Sequence, residues 1–397
     1  MIRKQDILDR AGEWSLRPEV VEKDYVLGWL LAALGLVEDA RPWIFKGGTC
    51  IKKCYVETFR FSEDLDFSLL PEAVYTEGAI LETLRSIARV ASELGGVQYP
   101  EGLIEIRSRR NKQGESTFEG RIPYSGPLAY PGFPRVRVDI TQHEPVLDVV
   151  TKRGVFHPYP DELPRGAPVA AYSLDEVLAE KTRALYERAR PRDLYDVVYL
   201  LENCPQAFDL DRVHDLFGRK CRIKNLSVPS KASLLSAVRA DEELRSEWSN
   251  MLSHQIPALP DLDDLVARLP DLVRWLDERP AALPEARLVD VPIPADETPI
   301  ASAGIRFWGT GRPLERIRLA AAIRVLVEFE CGGSRHTVEP YVLAETLRGD
   351  VLLYGWDRAS SRIERFDVAK IERFNVTRRP FSPRYRVALS SIAASQE

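Results

Sequence analysis

Residues 45–49 read Phe-Lys-Gly-Gly-Thr, and residues 60–67 read Arg-Phe-Ser-Glu-Asp-Leu-Asp-Phe. The second stretch is a predicted strand, so Asp64 and Asp66 lie on one of its faces while the intervening apolar side chains point into a core. Two neighbouring carboxylates repel unless a cation lies between them. A hard cation such as Mg²⁺ takes oxygen ligands of this kind and usually also holds substrate phosphates.

A lone pair of aspartates at this spacing is also compatible with an ordinary solvated strand end. The glycine pair upstream favours a binding site instead. Gly47 and Gly48 open a predicted helix that runs from Thr49 to Glu57, and backbone amides at a helix start suit a phosphate. The sequence therefore predicts a phosphate-binding turn next to a metal-binding strand.

A third carboxylate comes from a later stretch. Residues 135–140, Arg-Val-Arg-Val-Asp-Ile, have the alternation of a strand, with Arg137 and Asp139 on one face. If this strand pairs beside the first, Asp139 completes a metal site with Asp64 and Asp66. A single acid near the end of a strand is otherwise an ordinary surface residue.

Composition limits the possible functions. The chain has 397 residues, 45% of them hydrophobic, and a net charge of −5. It is therefore long enough for two or three domains, and any nucleic-acid contact must come from a local patch. Five cysteines without a C-x-x-C pair suggest neither a disulfide framework nor a zinc site. No signal region precedes the first helix, and the longest apolar run, 26–37, is too short to cross a bilayer. A cytoplasmic protein without membrane contact is expected.

The chain divides into four predicted parts. Residues 1–204 read as an α+β domain, residues 205–279 as a helical subdomain and residues 280–299, with five prolines, as a linker. Residues 300–397 carry one helix followed by short alternating strands, which is typical of a small antiparallel barrel.

Two further segments of the first part carry charge. Residues 103–106 and 121–124 read as the strands of a hairpin whose loop contains Arg107, Arg109, Arg110 and Lys112. This loop is either a basic patch for an RNA backbone or a solvated hairpin tip.

The second charged segment begins with Ser173 and Glu176, which have the spacing of a capping box before a helix that carries Lys181. Pro191 ends this helix and opens the next. Asp193 and Asp196 share a face in the first turns of that second helix, where they either favour its dipole or orient Lys181 or a substrate.

The order of these motifs resembles the DNA polymerase β-type nucleotidyltransferases. More closely, residues 15–275 resemble the toxin nucleotidyltransferases of the AbiEii/AbiGii group, which includes the MenT-type toxins. The likeness rests on six motifs in order: Val21-Glu22-Lys23-Asp24-Tyr25-Val26-Leu27, Phe45-Lys46-Gly47-Gly48-Thr49, Arg60-Phe61-Ser62-Glu63-Asp64-Leu65-Asp66, Val138-Asp139-Ile140, Glu180-Lys181 and Arg192-Asp193-Leu194-Tyr195-Asp196.

The resemblance implies an α+β fold: a polymerase β-like mixed sheet with helices, a helical extension, and then an SH3- or Sm-like barrel. It implies the toxin half of a type IV toxin–antitoxin or phage-defence pair, with a cognate antitoxin. It also implies an NTP substrate, two Mg²⁺ ions and an RNA acceptor, most specifically the 3′ end of tRNA.

The resemblance also assigns roles to residues. Asp64, Asp66 and Asp139 would bind the metals. Lys181 would balance charge on the triphosphate, positioned by Asp196 and Asp193. The residues expected to contact the nucleotide phosphates are Gly47, Gly48, Thr49 and Ser62, with Lys46 and Arg60 as weaker candidates.

The C-terminal part resembles a WYL-type domain through residues 339–341, 355–358 and 366–371, although Val351-Leu352-Leu353 stands in place of the name-giving tripeptide. Two other functions stay open on the sequence alone. One is NMPylation, in which the nucleotide is transferred to a protein hydroxyl. The other is a non-catalytic regulator built on the WYL-like domain.

Overall fold

The computed structural model describes residues 1–71, 75–110, 116–278, 288–300 and 311–389. The chain divides into two compact units; of the described residues, the first comprises residues 1–11 and 17–177, and the second comprises residues 12–16 and those between 178 and 389. No helix in the described ranges combines the length and the apolar character needed to cross a membrane. The predicted four-part division stays a prediction, and residues 280–287 of the predicted linker lie outside the described residues.

The first unit is built on a seven-stranded mixed sheet. Its strands are β1 (Trp43–Lys46), β2 (Asp64–Leu69), β3 (Glu105–Arg110), β4 (Ser116–Pro123), β5 (Arg135–Thr141), β6 (Thr151–Arg153) and β7 (Val169–Ala171). Their spatial order is β3-β4-β5-β2-β1-β7-β6. β2 pairs in parallel with β5, and β1 pairs in parallel with β7, whereas the other neighbours are antiparallel. Together with the helices this is the α+β architecture that the sequence predicts.

Four helices accompany this sheet: α1 (Lys4–Trp14), α2 (Pro18–Leu34), α3 (Gly47–Cys50) and α4 (Glu77–Gly95). α4 is amphipathic, and it ends where Gly96 takes the left-handed conformation. It covers one face of the sheet, because a Cβ on Gly120 of β4 would lie only 2.9 Å from Leu84 of α4. Side chains that alternate with Gly120 therefore point to the opposite face.

Three local predictions differ from the structure. The helix expected from Thr49 to Glu57 begins at Gly47 as α3 and continues as a π-helical turn over Ile51–Tyr55. The strand expected from residue 61 begins at Asp64. The arginines expected in a hairpin loop lie within β3, because β3 and β4 pair continuously from Glu105 to Arg110. Lys112 lies outside the described residues.

The structure contains the N-cap of the predicted capping box. The hydroxyl of Ser173 accepts a hydrogen bond from the amide of Glu176 at 3.1 Å, as expected for an N-cap. The carboxylate of Glu176 accepts from the amides of Leu147 and Asp148 at 2.9 and 3.0 Å, a contact that the sequence did not predict.

The helices that follow are α5 (Leu174–Arg188), α6 (Pro191–Asn203), α7 (Leu210–Ile223), α8 (Lys231–Ala240), α9 (Glu242–Leu252) and α10 (Leu262–Leu272). α5 ends before Pro191, which occupies the first turn of α6 as the sequence predicts. α6 is buried along most of its length and packs against α9 and α10.

The C-terminal part of the second unit is antiparallel. It contains α11 (Leu314–Ala322) and the strands β8 (Glu297–Pro299), β9 (Val325–Cys331), β10 (Ser334–Thr346), β11 (Val351–Asp357), β12 (Arg362–Asp367) and β13 (Glu372–Pro380). The main strand order is β12-β11-β10-β9-β13, and β8 pairs with β10. Within the described residues no pairing joins β12 to β13, so closure into a barrel stays a prediction.

The residues that suggested a WYL-like domain lie next to each other in this sheet. Glu339 of β10 is the register partner of Trp356 of β11. The buried carboxylate of Glu339 lies 2.8 Å from the guanidinium of Arg358, and the guanidinium of Arg384 lies 4.8 Å from the ring of Trp356. These contacts hold polar and aromatic side chains of this sheet next to each other. The assignment to a WYL-type domain stays a prediction.

Candidate active site

The glycine turn is in direct contact with the aspartate strand. β1 is buried at every position and leads into Gly47, whose φ of +80° is the left-handed conformation that favours glycine. A Cβ at Gly47 would collide with the carboxylate of Asp66. The sequence therefore needs glycine here for two reasons: the sharp change of direction after β1 and the close approach to an acid.

The next two residues fix the start of the aspartate strand. A Cβ at Gly48 would lie 2.7 Å from the guanidinium of Arg60 and 3.1 Å from the hydroxyl of Ser62. The hydroxyl of Thr49 donates a hydrogen bond to the backbone carbonyl of Asp64 at 2.5 Å. The structure thus brings the predicted phosphate-binding residues against the predicted metal-binding strand.

The three predicted carboxylates lie on one face of the sheet. Asp66 pairs in register with Asp139 across the parallel strands β2 and β5, and Asp64 pairs with Arg137. The same line of register partners continues on both sides. It runs from β1 to β3 through Lys46, Asp66, Asp139, Glu119 and Arg107, and is called the register row below.

Asp139 has a neighbouring cation. Two nitrogens of Arg137 contact its two carboxylate oxygens at 3.2 and 3.0 Å. Burial raises the pKa of Asp139 above its ordinary value, the charge of Arg137 opposes this rise, and the charges of Asp64 and Glu119 add to it. Burial is the largest of these effects, and the neighbouring acids act in the same direction.

The donor set suits a hard divalent cation, but the side chains as they stand do not form a closed ligand group. Within the described residues, no three or more His, Cys, Asp or Glu side chains are arranged to hold a metal ion. The carboxylate of Asp139 is engaged by Arg137 instead. Oxygen-only donors on adjacent strands match the preference of Mg²⁺, and the two-ion site stays a prediction.

Lys46 already has a carboxylate partner. Its ammonium contacts Glu144 at 2.5 Å, and both side chains are 8% exposed. A buried pair of this kind fixes the lysine at the end of β1, next to Gly47. The predicted contact between Lys46 and a phosphate remains a prediction.

Lys181, Asp193 and Asp196 form a separate cluster within the second unit. The ammonium of Lys181 lies 2.7 Å from Asp196 and 3.5 Å from Asp193, and Arg188 contacts Asp193 at 2.8 Å. The side chain of Asp196 is fully buried, whereas that of Lys181 is 13% exposed. Of the two sequence interpretations, this geometry favours the one in which the aspartates orient Lys181.

The first motif of the N-terminal helices fastens segments that flank the aspartates. Lys23 contacts Glu63 at 2.9 Å, directly before Asp64. Asp24 and Lys53 form a buried ion pair at 2.6 Å, which holds the π-helical turn after the glycines. These two ion pairs tie α2 to the segments that flank β2.

Glu119 is a site residue that the sequence analysis missed. It is 8% exposed and lies beside Asp139 in the register row. Its carboxylate contacts Arg109 at 3.1 Å and Arg121 at 2.9 Å. The alternation of Thr117, Glu119 and Arg121 would have revealed it if β4 had been extended to its observed start.

Comparisons with known proteins were made for both the sequence and the structure. The family model described as nucleotidyl transferase AbiEii toxin, type IV TA system, matches residues 29–277. The comparison with curated proteins finds no match. Among solved structures, the MenT4 nucleotidyltransferase toxin of Mycobacterium tuberculosis H37Rv is similar with a TM-score of 0.46 and 19% sequence identity, covering 72% of this chain and 95% of that one.

Proposed function

The chain belongs to the AbiEii family of nucleotidyltransferase toxins of type IV toxin–antitoxin systems, and from this premise we propose that it transfers NMP from an NTP to an RNA acceptor in a Mg²⁺-dependent reaction. The family implies a nucleotide substrate and a cognate antitoxin. The observation that carries the proposal is the register pairing of Asp66 with Asp139 beside the glycine turn.

Asp64, Asp66 and Asp139 would hold the divalent ions. When bound, such ions neutralise charge on the phosphates and stabilise the attacking and leaving oxygens of an in-line displacement. The protein supplies adjacent carboxylates on neighbouring strands of one sheet, so their backbone positions are set before substrate arrives and only the side chains would have to reorient towards the ions.

Asp139 is proposed as the acceptor of the proton from the attacking hydroxyl. The oxygen of the RNA hydroxyl then forms a bond to the α-phosphorus of the NTP, and the bond from that phosphorus to the leaving pyrophosphate breaks. The place of Asp139 in the register row supports this role, because Asp139 lies on the side of Asp66 that faces away from the glycine turn. Arg137, which contacts the same carboxylate, would keep it in place for the transfer.

The nucleotide is proposed to bind on the β1 side of Asp66. Gly47 and Gly48 bring the backbone of this turn against the side chains of Asp66 and Ser62, and the hydroxyl group of Thr49 lies at the same turn. Backbone amides in such a turn suit a phosphate. Lys181 is proposed to balance triphosphate charge as a point charge, and its contact with buried Asp196 supports this role because the pair holds the ammonium in place.

An RNA acceptor, with the 3′ end of tRNA as the specific candidate, is proposed on the basis of charge. The chain as a whole is acidic, yet exposed arginines gather on the three strands next to Asp139. On the face of Asp139 these are Arg107 and Arg109 of β3, Arg121 of β4, and Arg135 and Arg137 of β5, whereas Arg110 points to the other face. A local basic surface is what a polyanion requires.

The test is a labelling experiment with four reactions, each containing one α-³²P-labelled NTP, Mg²⁺, the full-length protein and total cell extract. The products are divided and treated with RNase or with protease. The proposal predicts label that RNase removes and protease leaves. Label that survives RNase and is lost with protease would establish protein NMPylation instead, and an absence of label with all four nucleotides would contradict both.

A further inference from the structure

The strand order separates two anion-binding surfaces. The glycine turn follows β1, on one side of β2, whereas the arginine-bearing strands β5, β4 and β3 lie on the other side of β2. Neighbouring strands are about 5 Å apart, so β4 lies about 10 Å from β2. An anion bound at β4 and β3 is thus a different group from a triphosphate at the glycine turn.

Glu119 organises the centre of the second surface. Its carboxylate is 8% exposed, but the two arginines that it contacts are 59% and 38% exposed, for Arg109 and Arg121 respectively. One oxygen of Glu119 contacts each arginine, so a single buried acid holds two guanidinium groups towards solvent. The three side chains together carry a net charge of +1.

This arrangement leaves donors available to a ligand. A guanidinium has five N–H groups in a planar fork, and the contacts with Glu119 use only the side that faces the carboxylate. Preorganised arginines lose less conformational entropy when they bind a phosphate than free ones do. Glu119 of this cluster is the register partner of Asp139, where the acceptor hydroxyl is proposed to react.

We propose that Arg109, Arg121 and Glu119 form a binding site for the phosphodiester backbone of a single-stranded RNA acceptor, with the arginines contacting phosphate and Glu119 acting as their positioning residue. The inference rests on the proposed function for its choice of RNA. It adds the place where the acceptor strand binds and a role for a carboxylate that has no part in holding the divalent ions.

The experiment measures RNA binding rather than transfer. A 5′-fluorescein-labelled single-stranded RNA 12-mer is titrated with the full-length protein without nucleotide or divalent ion, and the dissociation constant is measured by anisotropy at several KCl concentrations. The Arg109→Ala/Arg121→Ala variant is expected to bind about tenfold more weakly. The slope of its log affinity against log salt should be smaller by about 1.4, since each lost phosphate contact on a single strand contributes about 0.7.

Glu119→Gln separates positioning from net charge. Removing a negative charge would tighten RNA binding if only the overall charge mattered. The proposal predicts weaker binding, because the two arginines lose their common anchor. The Arg109→Lys/Arg121→Lys variant, which changes only exposed side chains and keeps both charges, is likewise expected to weaken binding through loss of the fork geometry.

Arg89→Ala is the matched control. Arg89 lies on α4, covering the other face of the sheet, is 54% exposed and contacts Glu101 at 3.0 Å. The Arg89→Ala variant should bind RNA as tightly as the wild type. The proposal would be overturned if the double alanine variant bound RNA within twofold of wild type with an unchanged salt slope. Equally tight competition by polyglutamate would also overturn it, because that result would indicate an acidic protein partner. Because no transfer is measured, failure of this site is distinguishable from failure of the proposed reaction.

Discussion

Asp66 and Asp139 are register partners on parallel neighbouring strands, although 72 residues separate them in the sequence. The glycine turn packs against Asp66, and Glu119 lies on the far side of Asp139. One line across the sheet thus joins the proposed nucleotide side, the carboxylates and the proposed acceptor side. This relationship is the basis of the following predictions.

Gly47→Ala is expected to reduce nucleotidyl transfer at least tenfold and to destabilise the protein by about 1–2 kcal/mol. Alanine at this position has to adopt an unfavourable positive φ, and its Cβ also collides with the carboxylate of Asp66. Initial rates and urea unfolding measure the two effects. Gly132→Ala is the control, since Gly132 also has a positive φ but has nothing within 4 Å of its Cβ position. The control should lose stability and keep activity, and equal loss of activity in both variants would refute the specific contact with Asp66.

Asp196→Ala is expected to lower the free energy of unfolding by about 3 kcal/mol, because it leaves the largely buried ammonium of Lys181 without its nearest partner. The Lys181→Met/Asp196→Leu double variant should be less destabilised than Asp196→Ala, since no uncompensated charge remains. Urea unfolding of the single and double variants measures this difference. If the double variant loses as much stability as the Lys181→Met and Asp196→Leu single variants lose together, the two side chains do not interact.

The stability of the protein should depend on pH through Asp139. Burial raises the folded-state pKa of this carboxyl above the ordinary 3.8, so the folded chain binds the proton more tightly than the unfolded chain. The free energy of unfolding therefore falls as pH rises from the unfolded pKa through the raised folded value. Asp139→Asn abolishes this loss, and its stability relative to wild type should increase as pH rises from the ordinary value of 3.8 through the raised folded-state pKa.

Arg137→Ala provides the complementary measurement. Its guanidinium opposes the rise of the Asp139 pKa, so its removal should widen the pH interval over which stability falls. Urea unfolding at a series of pH values measures both variants. A stability difference between Asp139→Asn and wild type that stays constant with pH would contradict the raised pKa.

The sequence was most informative where function and local pattern coincide. Alternation along a strand placed Asp64 and Asp66 on one face, and the glycine pair marked the turn that approaches them. These residues are close in sequence, so their geometry follows from local backbone rules. The resemblance to the AbiEii group is confirmed by the family match over residues 29–277.

The same pattern analysis could not predict which residues of distant segments become neighbours. Glu119 lies beside Asp139 because β4 begins at Ser116, earlier than its hydrophobic pattern indicated. Glu176 binds amides of a loop almost thirty residues upstream. In both cases tertiary pairing decides between local alternatives of similar free energy.

The rate of nucleotide transfer by Asp66→Asn tests the central claim most directly. The assay uses full-length protein, Mg²⁺, RNA and the labelled NTP that gives the highest wild-type rate, with Asp39→Asn, an exposed aspartate outside the sheet, as the control. The account predicts a loss of at least about 100-fold for Asp66→Asn and wild-type activity for the control. A correctly folded Asp66→Asn variant with a rate within twofold of wild type would contradict it.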